Sequence, residues 1–160
     1  MRTNRQKGMD VTYSELTDFD AWIALAREVE PLFGPMAEET AFQEALQRAI
    51  SGKAAFCIRS ARDEHDVALK GGIVVSEAAN EIAWLAVSKH CRNRGYGRKL
   101  LEFALNRLNP RESIWVQTFD ASVPEGTAAR KLYFDVGFTD HKAGGLNLAG
   151  VPTVIMRLAP

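Results

Sequence analysis

The chain has 160 residues in which 20 Lys plus Arg balance 20 Asp plus Glu, so no bulk charge draws it to nucleic acid or to an acidic membrane surface. That length suits one domain with a sizeable core, and two cysteines, Cys57 and Cys91, are too few for a disulfide framework. No segment approaches the roughly 20 apolar residues of a membrane span, and no apolar run follows the charged N-terminus as in a signal peptide, so a cytoplasmic protein is expected.

Residues 1–8 read as a disordered polar lead-in and residues 9–160 as a single domain. From Asp10 to Leu16, apolar Val11, Tyr13 and Leu16 stand against Thr12, Ser14 and Glu15, which predicts a first strand. Asp18 or Asp20 can cap the next element, a helix with Trp22, Leu25, Ala26 and Val29 at i, i+3, i+4 and i+7. Pro31, Gly34 and Pro35 predict that the chain leaves this helix. Leu32, Phe33 and Met36 are large for such a turn, and either cap the core or wall an acceptor pocket. A second helix is expected from about Ala37 to Ser51, with Phe42, Leu46 and Ile50 on its buried stripe and Gly52 past its end.

The period then changes. Ala54–Ser60 and Val67–Ser76 read as strands joined by a charged turn, Ala61–Asp66. Gly71 and Gly72 suggest a bulge or a close backbone approach. Ala78-Ala79-Asn80 turns into the strand Glu81–Val87, and three strands with such short connections should pair antiparallel. A polar run, Ser88–Arg94, leads to Gly95-Tyr96-Gly97 and a helix whose apolar face carries Leu100, Leu101, Ala104, Leu105 and Leu108, closed by Pro110.

Two glycines at a helix start let the backbone approach a ligand, and the free N–H groups of the first turn suit an anion. Arg92, Arg94 and Arg98 crowd the same place, so the expected guest carries phosphate. Spacing rules out two common phosphate motifs. The third glycine of a dinucleotide fingerprint is Leu100 here, and no Gly-Lys-Ser/Thr follows as in a P-loop. Cys91 has no Cys–His–Asn pattern around it and reads as an incidental loop thiol.

Beyond Pro110, Ser113–Phe119 is a strand, and the helical crossover before it favours parallel pairing with Glu81–Val87. After the loop Asp120–Glu125, a short helix is expected at Gly126–Val136, with Ala129, Leu132, Tyr133 and Val136 on one face and Gly137 as its stop. Phe138–His141 and Thr153–Leu158 are the last predicted strands, joined by the glycine-bearing loop Ala143–Val151. No metal-ligand set is assigned.

The run Arg92-Asn93-Arg94-Gly95-Tyr96-Gly97, after a strand ending Leu-Ala-Val, resembles motif A (R/Q-x-x-G-x-G/A) of the GNAT superfamily of acyl-CoA-dependent N-acyltransferases. A second run, Ala129-Arg130-Lys131-Leu132-Tyr133 through Gly137-Phe138, looks like the family's A-x-x-L-Y-x-x-x-G-F, and the element order matches over nearly the whole chain. The resemblance implies an α/β (α+β) fold, with a mixed, mostly antiparallel central sheet, splayed parallel central strands and helices on both faces. It implies acetyl-CoA as cofactor, its arm on main chain at Leu85, Ala86 and Val87 and its pyrophosphate on Arg92, Asn93, Arg94, Gly95, Tyr96, Gly97 and Arg98. Arg130 and Gly126 join that cofactor set. At Gly126 many members have an Asn that bonds the arm, so Thr127, Ser122 or water would replace the contact.

By the same resemblance Tyr133 is the general acid for the leaving sulfur. Glu81, at the start of E-I-A-W-L-A-V, is the candidate base, as in the histone-type branch. A water relay through main-chain carbonyls is the other option, and His90 and His141 occupy no motif position. The implied reaction moves an acetyl group to a primary amine of a small molecule or peptide. No nucleic acid or membrane partner is implied, and a homodimer is possible in this superfamily. Glu28, Glu30, Glu38 and Glu39 could attract a cationic amine. Transfer of a longer acyl group, and a non-catalytic acyl-CoA-binding regulatory module, are the alternatives.

Overall fold

The computed structural model describes residues 10–60 and 68–160; the expected lead-in at 1–8, the charged turn 61–66 and Val67 lie outside the described residues. Among the described residues seven strands form one sheet: β1 (Thr12–Tyr13), β2 (Ala55–Arg59), β3 (Leu69–Ser76), β4 (Glu81–Val87), β5 (Ile114–Phe119), β6 (Thr139–Leu146) and β7 (Pro152–Leu158). Four helices accompany them: α1 (Phe19–Phe33), α2 (Thr40–Ser51), α3 (Tyr96–Leu105) and α4 (Thr127–Asp135). The sheet order is β1-β2-β3-β4-β5-β7-β6, antiparallel throughout except for the parallel pair β4–β5.

Alternation along β2 shows why helices cover both faces. Ala55 and Cys57 belong to a cluster with Trp22, Leu25, Ala26 and Leu46 of α1 and α2. Phe56 and Ile58 belong to another with Leu100, Leu101, Ala104 and Tyr133 of α3 and α4. A strand buried on both sides needs a layer on each. Gly71 and Gly72 meet the expectation of close approach: a Cβ on Gly72 would stand 2.4 Å from Trp22, and one on Gly71 2.9 Å from Leu100. At the sheet's far edge, buried Asp18 accepts from Arg59 Nε and Nη2 at 2.8 and 2.6 Å, fastening the start of α1 to β2.

Four boundaries depart most clearly from the sequence reading. The first strand is reduced to Thr12–Tyr13, with a 3-10 turn at Leu16–Asp18. The helix does not leave at Pro31 but runs on to Phe33. A proline in the last turn removes a single bond, to the carbonyl of Arg27, and the ladder resumes with Gly34 N–H donating to Glu30 at 2.8 Å. Gly34, at φ 100°, stops the helix. The third helix ends at Leu105, although Leu108 is buried as its apolar stripe implied.

The fourth difference is β6, which extends from Thr139 to Leu146 and takes up half of the expected loop. Register slips at Asp140/Lys142 and Ala143/Gly145 absorb extra residues while β6 follows β7. Almost all of β6 is exposed, so no apolar alternation could reveal it.

Candidate functional site

Strands β4 and β5 share only two register pairs, Glu81↔Trp115 and Ile82↔Val116, and then part. A bulge marks the place. On the β3 side the register passes from Val75↔Ile82 to Val74↔Trp84, leaving Ala83 as an extra residue. A bulge bends its strand and raises the local twist, so β4 turns away from β5 where their pairing ends. A second bulge lies on β3 beside Gly71, where the sequence suggested one: the register with β2 passes from Ile58↔Gly71 to Arg59↔Leu69 and leaves Lys70 as the extra residue. Beyond Ala83, main-chain groups of Leu85–Val87 on the β5 side have no ladder partner and need one.

The carboxyl ends of the two strands open onto a cavity of about 360 Å³. Leu85, Ala86 and Val87 line one wall, with Ala128, Ala129 and Leu132 of α4 beside them. Arg92, Asn93, Gly95, Tyr96, Gly97 and Arg98 form its polar end. Asn93 and Gly95 take left-handed φ values of 61° and 85°, and Gly95 caps α3 with no side-chain acceptor on the helix amides. Turns of this kind aim successive N–H groups inward as an anion nest. Arg92, Arg94 and Arg98 are all exposed there, although Arg94 does not line the cavity and Arg98 pairs with Glu102 at 3.0 Å. Tyr96 is buried, its hydroxyl accepting from Lys70 Nζ at 3.2 Å.

This donor set fits a diphosphate on an amide-bearing arm. The amides and guanidiniums suit the anion, and the unpaired strand edge suits the amides.

Besides Arg94, four expected site residues lie outside the lining. Tyr133 is 4 % exposed on the core face of α4, its ring edge-on to Phe138 at 5.6 Å. Burial pushes its phenol pKa well up, so the hydroxyl keeps its proton across the physiological range. Its helix neighbour Leu132 does line the cavity. Glu81 sits at the closed end of the strand pair, six residues from Val87, about 20 Å at roughly 3.3 Å per residue. Arg130 is committed elsewhere: it forks onto Asp140 at 3.0 and 2.9 Å, tying α4 to β6, and stacks over Phe134 at 5.1 Å.

Gly126 is explained by its neighbour. A Cβ there would stand 2.4 Å from Phe119 Cβ, so the ring of Phe119 occupies the room an Asn side chain would need.

On the other side the cavity is lined by Val29, Leu32 and Phe33 of α1 and by Phe119. Leu32 and Phe33 therefore line the cavity, and Phe33, like Met36, also packs against the core cluster beneath α1 and α2. Phe119, Glu125 and Ala128 were not anticipated; for Phe119 the available signal was a large apolar residue ending the second parallel strand. The β6–β7 turn also reaches this side, Asn147 Nδ2 donating to the carbonyl of Leu32 at 2.8 Å. Of the four glutamates considered, Glu38 is engaged by Arg27, and Glu28 accepts from Ser88 Oγ at 3.1 Å.

Among the described residues no helix is long and apolar enough to cross a membrane, and no cluster of three or more His, Cys, Asp or Glu could hold a metal ion. Residues 52–140 match the family model described as "Acetyltransferase (GNAT) domain". No curated protein matches the chain. Among solved structures it is similar to a GNAT-family acetyltransferase from Bacillus cereus, at 17% identity and TM-score 0.67, covering 94% of this chain and 96% of that one. It is also similar to a ribosomal-protein-alanine N-acetyltransferase from Brucella melitensis, at 15% identity and TM-score 0.70, covering 94% and 99%. A third is the NatC complex bound to Gag peptide and CoA, at 18% identity and TM-score 0.67, covering 95% and 99%. Identities this low speak for the fold.

Proposed function

The chain belongs to the GNAT acetyltransferase family, and from that premise we propose that it moves the acetyl group of acetyl-CoA to a primary amine, by direct attack within a ternary complex. One observation carries this reading. The parted β4–β5 edge and the glycine-led start of α3 open into the same cavity. When bound, acetyl-CoA supplies an activated acyl carbonyl and a thiolate leaving group.

The chain's own residues bind and aim. Amides from Arg92 to Arg98, with the guanidiniums of Arg92, Arg94 and Arg98, hold the pyrophosphate. The free edge at Leu85–Val87 bonds the amides of the arm, and a main-chain N–H near Val87 meets the carbonyl oxygen, where charge develops.

An amine of pKa ~10.4 must lose a proton at neutral pH, which costs about 4–5 kcal/mol. Glu81 is too far from the mouth to take it directly, which leaves the other option, a water relay through main-chain carbonyls. Tyr133 donates a hydrogen bond to the departing sulfur. Its raised pKa makes full proton transfer to a thiolate of pKa about 8.5 uphill, so the hydrogen bond is its contribution.

The sign for pH follows: a phenol raised by burial stays protonated, and Tyr133 adds no alkaline limb below the ordinary phenol pKa of about 10. Thiol release from acetyl-CoA across an amine panel tests the proposal. Tyr133→Phe is expected to lower kcat about a hundredfold with coenzyme A affinity unchanged. Gly126 in place of an arm-bonding Asn favours a second reading, a binding module without turnover. Coenzyme A uptake without thiol release would leave that one standing.

A further inference from the structure

The last turns of α1 lie across the mouth between β4 and β5. On the β4 side, buried Ser88 donates its hydroxyl to Glu28 Oε1 at 3.1 Å. On the β5 side, the ring of Phe33 lies 5.2 Å from that of Phe119. Glu28 and Phe33 are about 7–8 Å apart along the helix axis, at roughly 1.5 Å per residue. Leu32 lines the cavity between them, and its carbonyl is held from outside by Asn147.

The cavity therefore has two unlike ends. Exposed arginines surround the start of α3, whereas the rings of Phe33 and Phe119 line the end at α1, and Glu28, bonded to Ser88 next to Val87, stands beside that lining rather than in it. The aromatic end depends on Gly126, because any side chain there would collide with Phe119. The carboxylate of Glu28 has lone pairs beyond the one that Ser88 uses. Glu38, by contrast, is engaged by Arg27 on the exposed surface.

Resting on the transferase reading above, we propose that the acceptor is a primary amine carried on an aromatic body, its ring against Phe33 and Phe119 and its ammonium beside Glu28. A flat apolar ring buries against two aromatic faces without stranding a polar group. A polyamine or an amino sugar would bring further charges or hydroxyls against the same rings, and each would lose water without gaining a partner.

The test compares kcat/KM for 2-phenylethylamine, Phe-Gly-Gly and spermidine by thiol release at saturating acetyl-CoA. Alongside it, binding of 2-phenylethylamine to the protein–coenzyme A complex is followed by tryptophan emission, since Trp84 lies 6.4 Å from Phe33. The aromatic amines are expected to exceed spermidine by about tenfold or more, and Phe33→Ala to remove about that factor for them alone. Glu28→Gln is expected to raise KM for every amine while coenzyme A affinity holds. A preference for spermidine, or an aromatic preference untouched by Phe33→Ala, overturns the inference.

If no amine is acetylated, the transferase reading falls and the binding measurement decides this one. Saturable binding weakened by Phe33→Ala upholds the aromatic site, and no binding overturns it. Should Phe33→Ala fail to fold, Phe33→Leu keeps the bulk, removes the ring and is read the same way.

Discussion

The two ends of the β4–β5 pair are made of the same strands and do opposite things. At the closed end the buried side chain of Asn80 works as a staple: Nδ2 donates to the carbonyls of Asn109 and Ser113, both at 3.0 Å, and Oδ1 accepts from the Asn109 amide at 2.8 Å. The backbone adds a bond from Trp115 N–H to the Asn80 carbonyl at 3.1 Å. At the open end, past the extra residue Ala83, no ladder joins the strands and the cavity begins. A gap in a sheet is costly unless something fixes where it starts. Here a satisfied polar network holds one side of the start and a bulge turns the chain on the other.

The largest effect is expected at the staple. Asn80→Ala leaves the Asn109 amide and the partly buried carbonyls of Asn109 and Ser113 without this partner, and should cost about 2 kcal/mol in urea unfolding. A loss under about 1 kcal/mol would mean the closed end is held by packing instead.

At the open end Gly126→Asn, the residue the family resemblance would place there, should cost up to about 2 kcal/mol through collision with Phe119. In a Phe119→Ala background, itself destabilised, Gly126→Asn should cost much less, and a purely additive double variant would refute the size complementarity. The smallest effect is expected at the phosphate end. Arg92 is exposed and its nearest protein acceptor, the Val87 carbonyl, is 3.5 Å from Nε. Arg92→Ala should therefore leave stability alone and weaken coenzyme A binding about fivefold, roughly 1 kcal/mol, less so in high salt. Calorimetric titration at two ionic strengths checks it.

How far the site could be read in advance differs between its halves. The polar end was legible, because a glycine-led helix start with arginines around it is local: amides, dipole and charges all come from one stretch, Arg92–Arg98. Leu32 and Phe33 were legible as misfits, large apolar residues beside two prolines, though the helix through Pro31 was not. The partnership of Phe119 with Gly126 could not be read, since it joins a strand end to a helix start and appears only when a Cβ is placed between them. Tyr133, Glu81 and Arg130 carry family positions that the cavity lining does not include, and their distances depend on packing that no motif encodes.

By itself the amino-acid order determined the element types, the antiparallel run β2–β3–β4, the parallel crossover to β5 and the glycine-led, arginine-flanked start of α3. These rest on periodicity, turn residues and short connections, which act between near neighbours. Tertiary structure alone decided where β4 bulges, how far β6 follows β7, that Arg130 spends its charge on Asp140, and that two aromatic rings close the mouth opposite the arginines. Each of those outcomes is a competition for the same space or the same hydrogen bond between distant segments, and only the folded chain brings the competitors together.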